Sequence, residues 1–325
     1  MTGFETHRLD GIEPDNLLAF MALLGLLRSL DEVRPDWLAR VSWTVSDPPL
    51  RPALHCLKGV DRDALVEAAA EGVNVLAQYH EFEDRKDLAF SPKEAAGSLQ
   101  GATEIADRGG YVTDLWAALF SDAAISRDGR KVEPTPLCLM FGQGHQHFLQ
   151  RLAEVPRTKA PPGRGKGQGR IAVSEAECLG EALFALWKRP DATWSFRWDP
   201  HEDVRYALRA RDPTDTATKE TTQHGANRLA AIGLSVLTVA PVSRRGRVRL
   251  GMLGGRREID GSFVFRWPIW RAPISLACIR SLLGHPDLGN RETMAALGIV
   301  DVRQARRISA GKYMNVTRAD PESAP

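Results

Sequence analysis

The chain has 325 residues, 43% apolar and 26% charged, the balance of a soluble globular protein long enough to bury a substantial core. Its most apolar stretch, Leu17 to Leu30, is interrupted by Arg28 and flanked by acidic residues. That pattern excludes a membrane span and a secretory signal, and predicts a cytosolic protein.

Asp15 or Asn16 caps a first helix whose leucines, with Phe20 and Met21, cover most of its circumference, as expected of a helix buried on nearly all sides or docked on a partner. Gly25 in its middle costs about 1 kcal/mol relative to Ala, so close backbone packing is expected there. Val41 to Val45 alternates as a half-buried strand, ended by Pro48, Pro49 and Pro52. A second helix is expected over 61–79. A third opens at Ser91-Pro92-Lys93-Glu94, where Ser caps, Pro takes the first helical position and Glu reaches back. A fourth is expected over 113–120. Between Pro156 and Arg170 glycine, proline and five basic residues predict a mobile surface loop. Ser174-Glu-Ala-Glu177 is another capping box, opening a helix to about Trp187.

Beyond it, Thr193 to Trp198 and Val204 to Leu208 alternate at period two, and 224–237 reads as a helix of small residues. Arg247 to Leu250 and Ser262 to Trp267 read as strands, with Asp260-Gly261 as a turn. Two short helices are expected over 274–283 and 290–297. No tandem repeat is present. The pattern predicts an α+β protein: a mainly helical region 1–155, a flexible basic loop 156–170, and an α+β region 171–325 with an antiparallel sheet, packed with the first as one unit.

The net charge of +2 conceals an asymmetry. Residues 1–155 hold 15 Lys and Arg against 24 Asp and Glu, residues 156–257 hold 19 against 10, and residues 258–325 hold 9 against 7. A basic middle beside an acidic front fits one face that meets phosphates. The densest cluster is Arg244, Arg245, Arg247 and Arg249, followed by Arg256 and Arg257, with Tyr206, Phe263, Phe265 and Trp267 close in sequence for stacking. Arg164, Lys166 and Arg170 of the glycine-rich loop add charge and reach. The opposing expectation is a solvated sheet face with buried aromatics and a plain linker.

No complete catalytic motif is present. Gly165-Lys166 and Gly311-Lys312 lack the Ser or Thr that a Walker loop requires, and the glycine spacing is not that of a dinucleotide site. Cys56, Cys138, Cys178 and Cys278 are too scattered for a zinc ribbon or a redox pair and are expected as buried thiols. His145 and His147 would share one face of a strand, but no third ligand is marked by spacing, so structural histidines at a turn into a helix are expected. Asp199 and Asp203 flank a turn and could bind a divalent ion for phosphodiester cleavage. The ordinary fate of such residues is a turn cap and an ion pair. Neither a metal nor a cofactor is expected.

Leu9 to Leu30, with Trp43 beyond it, resembles the N-terminus of type I-G (formerly I-U) CRISPR-associated proteins. Gly142 to Leu149, Arg197 to Leu208, Gly225 to Ala230, Trp267-Pro-Ile-Trp270 and Gly311 to Asn315 resemble the smaller proteins of that system, including the family named as an extension of its helicase-nuclease. The resemblance implies a role in antiviral RNA-guided interference as a subunit that binds crRNA or target DNA without catalysis. Its partners would be other effector subunits or the helicase-nuclease. A metal-dependent nuclease using Asp199, Asp203 and His145 or His147, and a protein–protein adaptor, are the alternatives.

Overall fold

A computed structural model describes residues 3–57, 59–105, 110–139, 147–165, 169–202, 221–244, 246–310 and 313–322. The chain opens with β1 (Phe4–Arg8), which pairs antiparallel with β3 (Pro52–Leu57); β2 (Arg40–Trp43) lies on the other side of β3. Pro52 therefore starts a strand instead of ending one. The first position of a strand tolerates the missing donor.

Between them α1 (Leu17–Val33) is capped by Asn16, whose side chain accepts the Ala19 N–H. Every residue from Leu17 to Leu27 is buried. Residues Arg62–Ala77 form α2, with Asp61 as cap. Then α3 (Pro92–Ile105) realises the predicted capping box, Ser91 N–H donating to Glu94 and Glu94 N–H to Ser91 Oγ. The fourth helix, α4 (Tyr111–Ala117), is shorter than expected, because Phe120 already belongs to β4 (Phe120–Ile125), which forms a hairpin with β5 (Val132–Pro134).

Next come α5 (Phe148–Arg157) and α6 (Glu175–Phe184), the latter with the full Ser174–Glu177 capping box. Thr193 to Trp198 is not a strand. Arg197 is left-handed at φ 65°, and Phe196 and Trp198, both buried, stack at 4.3 Å between ring centroids. The expected strand Val204–Leu208 lies outside the described residues. Helix α7 (His224–Gly233) is buried along its whole length.

A hairpin of β6 (Val239–Arg244) and β7 (Arg247–Met252) follows, turned at Gly246 with φ 73°. Strands β8 (Gly255–Arg257), β9 (Phe263–Trp270), β10 (Ile299–Ala310), β11 (Tyr313–Val316) and β12 (Asp320–Pro321) build an antiparallel sheet in the order β11-β10-β9-β8, with β12 also on β10. Helices α8 (Leu276–Leu283) and α9 (Arg291–Ala296) connect β9 to β10.

The architecture is α+β, helices dominating the first half and a five-stranded sheet the second. One continuous core joins them. Its axis is the α1–α7 crossing, where an added Cβ on Gly25 would lie 1.7 Å from Leu229 O and one on Gly233 2.1 Å from Met21 O. Only glycines allow two backbones so close. On another side Phe20 of α1 stacks on Trp267 of β9 at 5.3 Å. Cys56, Cys138 and Cys178 are buried as expected, whereas Cys278 is exposed on α8.

Candidate nucleic-acid interface

The alternation of β7 sends Leu250 and Met252 inward and leaves Arg247 exposed and Arg249 half-exposed on the opposite face. On β8 the two arginines diverge. Arg256 binds Glu258 at 2.8 Å and lies 3.4 Å from Glu322, whereas Arg257 faces the β4–β5 hairpin. There Glu133 of β5, largely shielded from solvent, accepts from Arg249 Nη1 at 2.5 Å and from the Leu250 backbone N–H at 3.0 Å. Arg257 Nη2 stands 3.9 Å from the same carboxylate, with its guanidinium 5.7 Å from the Phe263 ring centroid. Arg307 of β10 completes the group and donates to Pro136 O at 3.3 Å.

These side chains line a concave cavity of about 550 Å³, together with Arg127 and Lys131 from the β4–β5 turn. An adjoining hollow of about 400 Å³ shares Arg127 and Arg249 and adds Arg247. Among its described lining residues the larger cavity holds five cationic side chains, Arg127, Lys131, Arg249, Arg257 and Arg307, against two carboxylates, Asp128 and Glu133. Burial pulls the Arg307 guanidinium below its ordinary value, and the neighbouring Arg257 charge adds to this. Like charges held in a concavity favour an incoming anion, and arginine forks match phosphate geometry.

Of the arginines singled out in the sequence, the fold brings Arg247, Arg249 and Arg257 together here and turns Arg256 to the far side of β8. Arg244 ends β6 and Arg245 lies outside the described residues. The stacking aromatics are corrected by the structure. Phe263, Phe265 and Trp267 are only 1%, 2% and 1% exposed, because β9 is the central strand of its sheet with both faces covered. Tyr206 lies outside the described residues.

The glycine-rich segment is also different from a free linker at its ends. Arg164 and Ile171 exchange backbone hydrogen bonds, and the Arg164 side chain pairs with Asp191 at 2.7 Å and Glu181 at 2.8 Å. Asp191 is fully buried, so Arg164 neutralises an interior charge. Arg170 is exposed, and Lys166 lies outside the described residues.

The candidate metal and catalytic residues take structural positions where they are described. Asp199 is 1% exposed, accepts from Asn16, from the His201 backbone N–H and from Arg189 Nε and Nη2 at 2.6 and 3.2 Å, and so caps the turn. His147 precedes α5 in the left-handed region, φ 48°, with its N–H on Asp87. His145 and Asp203 lie outside the described residues. Among the described residues one donor set has no counterpart in the sequence pattern: Glu13, Asp15 and His201 bring potential ligand atoms within 4.8 Å of one another. Arg51 lies 3.6 Å from Glu13 and Arg318 is paired with Asp15, so both carboxylates already have cationic partners.

Sequence reasoning also missed Arg127, Lys131, Glu133 and Arg307. The signal was present in Ser126-Arg-Asp-Gly-Arg-Lys131, a charged turn, and in Arg303 with Arg306-Arg307. Their convergence with Arg249 spans 116 residues of sequence for Glu133 and is set by tertiary packing. No helix among the described residues is long and apolar enough to cross a membrane. No protein-family model matches the chain, and no curated protein matches it in sequence.

Proposed function

We propose that this protein is a CRISPR-associated subunit, of the type I-G kind, that binds crRNA or target DNA through the basic cavity and leaves strand cutting to a partner. The observation that carries the binding half is the cavity itself: cationic side chains from the β4–β5 hairpin, β7, β8 and β10 pool in one hollow with two carboxylates among its described lining residues. Backbone phosphates are recognised by charge and by guanidinium geometry, and sequence-independent binding needs no more. The assignment to CRISPR interference rests on the resemblance of the short stretches described above. Several of them meet in the core. Asn16 donates to Asp199 at 2.9 Å, Leu18 N–H to Trp198 O at 3.1 Å, and Trp267 Nε1 to Pro14 O at 3.0 Å.

The test is a mobility shift with single- and double-stranded DNA and RNA at low and moderate salt, followed by affinity purification with the effector subunits and the helicase-nuclease co-expressed. Salt-sensitive retardation and a stable complex are expected. A chain that binds none of the four nucleic acids but holds a CRISPR subunit would be an adaptor. A magnesium- or manganese-dependent cut lost in Asp203→Ala would make it a nuclease.

A further inference from the structure

Within the basic cavity one carboxylate stands where an anion from outside would be held best. Glu133 faces guanidinium groups from two strands, Arg249 on β7 and Arg257 on β8, with Arg307 on β10 lining the same hollow. The contacts are uneven. Arg249 gives Glu133 a short charge-assisted bond at 2.5 Å, while Arg257 stands at 3.9 Å, a Coulomb distance too long for a hydrogen bond. A carboxylate has two oxygens and a single charge. A phosphate offers more oxygens and matches arginine forks in the same planar, paired fashion. Glu133 is anchored from behind by the Leu250 N–H at 3.0 Å, so it holds its place when nothing else is bound.

We propose that Glu133 is a built-in stand-in for phosphate, occupying an oxyanion seat formed by Arg249, Arg257 and Arg307 and competing with the ligand's phosphate for those guanidinium groups. For its natural ligand, a nucleic-acid strand, the inference rests on the function proposed above; its chemistry requires only a phosphate. Internal competition sets a moderate affinity. It keeps three cations organised in the empty protein and lets a strand exchange, since each phosphate that leaves is replaced at once by the carboxylate. Lys131 and Arg127, exposed residues that line the same cavity, draw the anion in, and Asp128 limits the surplus.

The test uses the full chain with two probes, inorganic pyrophosphate by titration calorimetry and a fluorescently labelled 20-nucleotide strand by anisotropy, on the native protein and on Glu133→Gln and Arg307→Gln. Glutamine at 133 keeps an acceptor for Leu250 N–H and removes the competing charge. It is expected to tighten both probes by at least about fivefold, what one unit charge about 4 Å away is worth in bulk water, and by more where the cavity excludes water. Arg307→Gln removes a seat cation without touching Glu133 and is expected to weaken pyrophosphate about tenfold. Pyrophosphate affinity unchanged or weaker in Glu133→Gln overturns the seat, as does affinity unchanged in Arg307→Gln. If pyrophosphate follows the expected pattern while the strand does not bind, the seat stands and the nucleic-acid function falls. If the strand binds with equal affinity to the native protein and Glu133→Gln, the function stands and the seat falls.

Discussion

Replacing Gly25 by alanine tests whether the α1–α7 crossing organises the molecule. In an exposed helix the change would stabilise the chain by about 1 kcal/mol, because alanine is the better helix former. Here the new Cβ would meet Leu229 O at 1.7 Å and Leu229 C at 2.6 Å, both backbone atoms that cannot rotate away. Restoring even a tight ordinary contact of 3.4 Å requires the helices to part by about as much again as the 1.7 Å they now allow. Both helices are buried on all sides there, so the displacement strains neighbours packed at crystal-like density. Overpacking of this kind costs about 3 kcal/mol or more, which outweighs the propensity gain. Urea denaturation followed by circular dichroism reads the change as a lower midpoint at similar slope. Gly97→Ala on α3, where nothing lies within 4 Å of the added atom, is the matched control and is expected to gain a few tenths to about 1 kcal/mol. Equal, small effects at the two positions would refute the close-crossing account.

Other consequences concern charge and protonation. His80 and His224 are buried, and burial lowers both to about 4 from an ordinary 6.5. Each stays neutral in the folded protein while the unfolded chain takes up a proton, so the stability present above pH 6.5 is lost as pH falls toward 4. A loss of about 2 kcal/mol per histidine between pH 7 and pH 5 is expected in urea midpoints, and a flat profile would contradict it. Arg164→Ala removes a partner of the buried Asp191 and is expected to cost about 3 kcal/mol while changing nucleic-acid affinity less than about twofold. A folded, fully stable variant that loses binding would instead put Arg164 at the interface.

Local signals survived folding best. The capping residues Asn16, Asp61, Ser91, Ser174 and Asn290 all start the helices their chemistry marks, since a cap needs only a hydrogen bond a few residues away. Period-two alternation was weaker. It located β7 and β9 but also marked Thr193 to Trp198, where the aromatics alternate and yet pack as an irregular buried segment. Strand β10 was invisible because Arg303, Gln304, Arg306 and Arg307 interrupt its apolar positions, and a bulge near Ile299 shifts the phase. At the candidate site the arginine density of 244–257 was legible. The choice between Arg256 and Arg257 was not, because it depends on which face of a three-residue strand meets Glu133 and which meets Glu322.

In the proposed function the surplus positive charge around Arg249, Arg257 and Arg307 binds nucleic-acid phosphates. Fluorescence anisotropy of a labelled strand across 50 to 200 mM salt, on the native protein and on Arg249→Glu/Arg257→Glu, tests it most directly, those limits being roughly the range over which phosphate contacts weaken strongly. Binding that weakens steeply with salt is expected, with a shallower slope and at least about a tenfold loss of affinity in the folded double variant. Absence of binding at the lowest salt, or an affinity and slope untouched by the double charge reversal, would contradict it.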